Sequence, residues 1–217
     1  MRSSGNNQAA LLVDFGKELH GAIKISSGMR ASSRPLRLRV RLGESVSEAM
    51  SDVAPYHNPY NATNEHAMRD FEIHVPWLGS LEHGNSGFRF ARIDLLDQDV
   101  DYLLRNVQAI SVMIDDPEIG SFNCSDERLN KIWETGAYTV KLNMQDYLWD
   151  GIKRDRLVWL GDLHPEVMTV NNVWGKHDVV RRTLDFAKAD TPLPGWMNGF
   201  SSYSMWWLLI HRDYYLH

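Results

Sequence analysis

The sequence predicts a multidomain β + α chain, an antiparallel β-sandwich followed by helices, and two observations carry that reading. Over residues 9–115 apolar side chains recur at every second position in short runs punctuated by Gly, Ser and Pro, the pattern of half-buried strands. Beyond Asp115-Asp116-Pro117 the spacing changes to three and four residues, the period of helices with one buried face. The expected division is a β-sandwich domain over residues 9–115 and a helical domain over residues 117–217.

In the first part, Leu11-Leu12-Val13-Asp14-Phe15 forms a short run closed by Gly16, and Gly21-Ala22-Ile23-Lys24-Ile25 alternates as far as Ser26-Ser27-Gly28. Leu36-Arg37-Leu38-Arg39-Val40-Arg41-Leu42 has strict period two, with leucines and Val40 on one face and arginines on the other. Phe71, Ile73 and Val75 alternate with Glu72 and His74; Phe88 and Phe90 open a further run, and Val107 to Met113 reads as the last strand. These make six or so strands. Ser45 to Met68, with Pro55, Pro59 and several Asn, has no clean period and is expected to be a long loop.

In the second part, Ser125 is the expected N-cap of a helix over 126–142, with Asp126 and Glu127 at the positive end of its dipole. Further helices are expected over 163–175, 178–189 and 202–216, the last carrying Met205, Trp206, Leu209, Ile210 and Tyr214 on overlapping apolar faces. That helix reaches His217 without Gly, Asn or a following Pro, and residues 117–217 have room for about five helices. The helical part reads as interrupted.

With 217 residues the chain can bury roughly 70% of its unfolded surface. Hydrophobic residues at 43% and charged residues at 24% are the balance of a globular protein, and a net charge of -5 argues against a nucleic-acid partner. No apolar run approaches the roughly 20 residues needed to cross a bilayer, so no membrane partner is expected. The polar start lacks a secretory apolar core, so either the protein is cytoplasmic or a leader is missing. A single cysteine, Cys124, excludes internal disulfides and multi-cysteine zinc sites, and it reads as a packing residue. Eight Trp and eight Tyr crowd toward the second half, either as core or as flat surfaces for sugar rings.

Chemistry concentrates in Trp149-Asp150-Gly151-Ile152-Lys153-Arg154-Asp155-Arg156-Leu157-Val158-Trp159-Leu160-Gly161-Asp162, a loop between two helices. Interleaved Trp, Leu and Val require part of it to be buried, and charges half-buried among aromatics need partners or shift their pKa. Glycosidic cleavage needs one carboxylic acid that keeps its proton near neutral pH and a second carboxylate that activates water or attacks carbon. The alternative is a loop ion network in which the three aspartates pair with Lys153, Arg154 and Arg156.

This segment resembles the catalytic-loop signature of bacterial α-L-rhamnosidases, glycoside hydrolase family 78. In that signature an Asp opens the loop, an acid follows Arg, and Arg-Leu-x-Trp-x-Gly-Asp closes it, here Asp150, Arg154-Asp155 and Arg156 to Asp162. The likeness extends to Gly120–Trp133 as a barrel entry, to Leu42-Gly43-Glu44 and Gly87–Ile93 in the β domain, and to Ser201–Trp207 and Arg212–Leu216 as a later barrel helix. It implies an inverting glycosidase that removes terminal α-L-rhamnose from a rhamnose-containing glycan or glycoside, without a cofactor or metal. The fold implied is the N-terminal part of a six-hairpin (α/α)6 barrel. Asp155 takes the general-acid place, where the family usually has Glu. On this resemblance Asp150 and Asp162 would hold sugar hydroxyls, Arg154 would bond the sugar or orient a carboxylate, Trp159 would wall the subsite, and Trp206 is the choice for a second wall, with Trp207 its competitor. The family's general base arises beyond residue 217.

Other features lead elsewhere. His164, beside Pro165-Glu166, reads as a helix-start residue, and Asp97, Asp99 and Asp101 lack the Gly and Glu of a calcium loop and read as a solvated turn. Asn61-Ala62-Thr63 and Asn123-Cys124-Ser125 fit a glycosylation pattern that matters only in a eukaryotic secretory route. The rivals in function are a non-catalytic carbohydrate-binding β-sandwich module and an inactive fragment.

Overall fold

Residues 1–30, 32–52 and 69–217 are described by a computed structural model. They divide into two units, Met1–Val112 and Met113–His217.

In the first unit the runs 11–15 and 21–25, expected as two strands, are one, β1 (Ala10–Ser27). Gly16 bends the strand instead of ending it. Asp14 faces Phe90 and Leu19 faces Phe88, so the residues between them bulge from the ladder. Within the bulge Gly16 has φ 80 and donates its N–H to Asp14 Oδ1 at 2.7 Å, while Arg89 grips the same carboxylate through two bonds of 2.8 Å. The other strands are β2 (Leu36–Gly43), β3 (Asp70–Val75), β4 (Gly79–Leu95) and β5 (Leu104–Ser111).

Among the described residues the strands form one antiparallel sheet in the order β3-β2-β4-β1-β5, in place of the two facing layers expected of a sandwich. The reason lies in the length of β1 and β4, which run the full height of the sheet and bend at their bulges. β2 flanks the C-terminal half of β4, whereas β5 flanks the C-terminal half of β1, whose partners are the N-terminal half of β4. The curl brings the side chain of Leu42, whose partner is Ala91, to 4.0 Å from where a Cβ on Gly84 would stand. One apolar cluster results, built from Ile23 and Ile25 of β1, Leu38 and Val40 of β2, and Phe88, Ile93 and Leu95 of β4. Burying each such side chain stabilises the fold by about 1.5–3 kcal/mol.

The arginine face of β2 is partly covered. A short helix α1 (Val46–Met50) occupies the start of the expected long loop, with Ser45 Oγ accepting from Glu48 N; residues 53–68 of that loop, with Asn61-Ala62-Thr63, lie outside the described residues. Beside α1 runs a chain of ion pairs. Asp70 holds Arg39 (2.6 Å), Asp52 bridges Arg39 and Arg41 (3.1 and 2.8 Å), and Asp94 holds Arg41 and Arg92 (3.2 and 2.8 Å). The expected solvated turn at 97–101 also anchors other segments. Asp97 accepts from Arg37 N at 2.7 Å, Asp99 from Gly5 N at 2.9 Å, and Asp101 pairs with Arg2.

The second unit holds α2 (Glu127–Asn143), α3 (Leu163–Val173), α4 (Asp178–Asp190), a 3-10 turn (Met197–Gly199) and α5 (Ser201–Leu216). Asp126, not Ser125, caps α2, its Oδ1 accepting from Arg128 N at 2.9 Å. Cys124 stands just before, its backbone bonded on both sides to the Asn130 amide. The core joins Val140 and Met144, Leu148 and Leu160 of the following loop, Leu163, Val167 and Val170, Leu184, and Ile210. On α5, Ile210 is buried and Trp206 and Tyr214 pack against this core, while Met205, Leu208 and Leu209 are exposed.

Candidate active site

The 150–162 segment connects α2 to α3, and its backbone is fixed at three points. Asp150 N donates to Leu157 O at 3.0 Å, and Leu157 N donates to Asp150 Oδ1 at 2.9 Å, closing a loop between them. The reversal inside it is made by Asp155 and Arg156, consecutive non-glycine residues at φ 62 and φ 51. Left-handed backbone at two such residues is uncommon and costs energy that the surrounding bonds must hold. Downstream, Asn198 donates Nδ2–H to Val158 O at 3.0 Å and accepts from Leu160 N at 3.1 Å, clamping both sides of Trp159. Trp159 O in turn accepts from Asp162 N and Leu163 N at the head of α3.

The arrangement leaves Asp150 within electrostatic reach of Asp155 and Asp162. Burial holds the Asp150 carboxyl above the usual range, the negative charges of Asp155 and Asp162 push it the same way, and the Leu157 N–H opposes them. Asp155 is partly exposed, with Arg154 Nε 3.9 Å away, a loose pair on a mostly solvated guanidinium. Asp162 begins α3 without a capping bond from its side chain. Trp159 meets Tyr203 edge-on at 6.4 Å. The next glycine permits that approach, since a Cβ on Gly161 would stand 2.4 Å from the Tyr203 ring.

Trp206 stands with other partners. It packs on His164 at 4.9 Å between ring centroids, and His164 Nε2 bonds Asp213 Oδ2 at 3.0 Å, tying α3 to α5. Its competitor Trp207 turns inward, donating its indole N–H to Leu184 O at 3.0 Å. Within the loop Asp150 Oδ1 accepts from the Leu157 backbone, Lys153 is buried, and Arg154 stands 3.9 Å from Asp155.

Two residues of this site escaped the sequence reading. Asn198 offered no signal, because its partners lie some forty residues away. Glu166 did carry one, since it follows Asp162 by four positions and so shares its helix face. Its Oε1 accepts from Asn143 Nδ2 at 2.7 Å; burial first, and then the charges of Asp150 and Asp162, push its pKa up to about 7. A groove lined by Ile132, Trp133, Ala137, Met168 and Val173 lies toward the other ends of α2 and α3 and holds none of the expected site residues.

Known proteins resemble the chain in both sequence and fold. Residues 117–199 match the family described as bacterial alpha-L-rhamnosidase 6 hairpin glycosidase domain. An alpha-L-rhamnosidase of Formosa agariphila is 35% identical over 155 residues, covering 70% of this chain and 16% of that protein. Among solved structures, a rhamnosidase from Klebsiella oxytoca with rhamnose bound aligns with a TM-score of 0.79 at 19% identity, over 98% of this chain and 44% of that one. A GH78 family rhamnosidase of Bacillus sp. GL1 aligns with a TM-score of 0.74 at 21% identity, over 99% of this chain and 22% of that one. The chain therefore spans less than half the length of each of these relatives.

Proposed function

We propose, from the premise that the chain belongs to the bacterial α-L-rhamnosidase family, that the loop 150–162 is the acid side of a site for terminal α-L-rhamnose. The observation that carries this is the loop closed by the two Asp150–Leu157 bonds, which holds Asp150 where the charges of Asp155 and Asp162 act on it. Asp155, at the left-handed turn and open to solvent on one side, is the proton donor to the leaving oxygen. Asp150 and Asp162 accept hydrogen bonds from sugar hydroxyls and offset the positive charge that grows at the anomeric carbon. Arg154 orients Asp155 or bonds the sugar, and Trp159 presents a flat wall. Trp206, braced by His164, forms the second wall. The four helices and their turn are the opening part of an (α/α)6 barrel.

The inverting course of the reaction is part of the same reading. It needs a base about 6.5–9.5 Å from the acid with a water between them, and that base lies outside residues 1–217. This chain then binds rhamnose better than it turns it over.

The test is calorimetric titration of the chain with L-rhamnose, L-fucose and D-glucose, alongside p-nitrophenol release from its α-L-rhamnoside. Selective binding of L-rhamnose that Asp150→Asn and Asp162→Asn each weaken by tenfold or more supports the site. Binding untouched by either substitution sinks it. Aryl-rhamnoside turnover by the chain itself would place the base within these residues.

A further inference from the structure

Behind the three aspartates stands a carboxylic acid that the scheme above leaves unused. Glu166 lies in the first turn of α3, one helical turn after Asp162, and one of its oxygens is bound by Asn143 Nδ2. The other, Oε2, is sealed from solvent and has no hydrogen-bond partner. An ionised carboxylate with a sealed, unpaired oxygen is costly. The charged groups that face it raise the cost, because Asp150 from the loop and Asp162 from the head of α3 are both acids. From α2 the neutral amide of Asn143 bonds it. The same Asn143 reaches the loop, its carbonyl accepting from Gln145 N at 3.0 Å and Trp149 N at 3.1 Å, immediately before Asp150.

We propose that Glu166 is a positioning residue that works in its neutral form, giving Asp150 and Asp162 an uncharged backing from which both can face the sugar as anions. The proposal rests on the rhamnose-binding reading above. Loss of the Glu166 proton sets a further negative charge beside the two aspartates. That charge pushes the Asp150 carboxyl, already held above the usual range by burial, further in the same direction. Sugar binding therefore weakens as pH rises through neutrality and Glu166 becomes charged.

The experiment follows side-chain carboxyl carbon resonances of the full chain, labelled at Asp and Glu, from about pH 4 to about pH 9. The expected result is a Glu signal that titrates near neutrality and vanishes in Glu166→Gln, with an inflection in the Asp150 signal at the same pH that the substitution removes. Glu166→Met serves the same comparison should the amide variant fail to fold. A Glu166 signal titrating in the ordinary range, or an Asp150 inflection that survives the substitution, overturns the proposal. In parallel, L-rhamnose affinity is measured at about pH 6 and about pH 8.5. A several-fold loss in the wild type that shrinks below about twofold in Glu166→Gln supports the positioning role. Wild-type affinity that is flat across this range overturns it. Absence of rhamnose binding at either pH removes the sugar-binding reading and with it the positioning role, while the carboxyl titration independently decides whether Glu166 is neutral.

Discussion

Leu157 is bonded twice to Asp150, once through its carbonyl to the aspartate N–H and once through its N–H to the aspartate carboxylate. The same carboxylate that is expected to hold the sugar therefore also closes the loop. The two roles separate by substitution. Asp150→Asn keeps an oxygen able to accept from Leu157 and should leave the thermal midpoint nearly unchanged while weakening L-rhamnose binding. Asp150→Ala leaves the Leu157 N–H without its partner and should cost about 1–3 kcal/mol in denaturant unfolding. Equal stability of the two variants would show that the Leu157 bond does not hold the loop.

Asn198 performs the corresponding task for Trp159, bonding Val158 O and Leu160 N across it. Asn198→Ala should destabilise by about 1–3 kcal/mol and speed amide exchange at Leu160, which is buried and loses its acceptor. Asn198 also holds φ 50, which alanine tolerates poorly, so Asn198→Gly is the control. Glycine relieves the backbone and still lacks the amide. Exchange at Leu160 that stays protected in Asn198→Gly would assign the effect to strain instead of the clamp.

Glu166 gives a dependence of stability on pH whose sign is fixed. Its folded pKa, about 7, lies above its ordinary value of 4.5, so the native state holds a proton that the unfolded state releases earlier. The stabilisation is fully present below about pH 4.5 and is lost as pH rises through 7. Asp150, shifted in the same direction, adds to the slope. Unfolding free energy should fall by up to about 3 kcal/mol across this window from Glu166. Glu166→Gln should remove that share and leave the Asp150 part. An identical slope in the variant would mean the acid titrates normally.

How far these features are legible in the sequence differs by element. Helices α2 to α5 fall within about two residues of the periodic segments, because each buries one stripe and its period is local. The Arg-Leu-x-Trp-x-Gly-Asp run marked the loop on residue types alone. The join of residues 10–27 into one strand was not legible, because Gly16 reads as a terminator until Arg89 and Asp14 are known to span the bulge. The single curled sheet was hidden for the same reason, since local alternation records which face is buried and not which strand lies alongside. Asn198 and the ion chain through Asp94 depend on residues tens of positions apart, which no local period encodes.

That ion chain supplies a prediction for the β unit. Asp94 is buried and accepts from both Arg41 and Arg92, and Arg41 is itself buried. Asp94→Ala leaves a buried guanidinium short of its counter-charge and should destabilise by about 3–5 kcal/mol. Arg41→Met with Asp94→Leu, which removes the pair for apolar side chains, should recover much of that loss. A double variant no more stable than Asp94→Ala would show that the pair is needed for packing and not only for charge balance.

The proton donor is tested by a substitution that the backbone itself recommends. Asp155 sits at φ 62, followed by Arg156 at φ 51, and asparagine is among the residues that accept the left-handed region most readily. Asp155→Asn therefore removes the transferable proton without adding the strain that alanine would bring. Its unfolding free energy should match the wild type to within about 0.5 kcal/mol. In an active rhamnosidase carrying this segment, kcat/KM for rhamnosides with poorly leaving alcohols should fall by about 10²–10⁴. Aryl rhamnosides should lose far less, because a phenolate departs with little need of protonation. The ratio between the two substrate classes is the informative quantity, since a binding residue lowers both alike. A uniform loss would move Asp155 from donor to sugar ligand, and Asp150, the neighbouring acid held above the usual range by burial, would then be the first candidate for the proton.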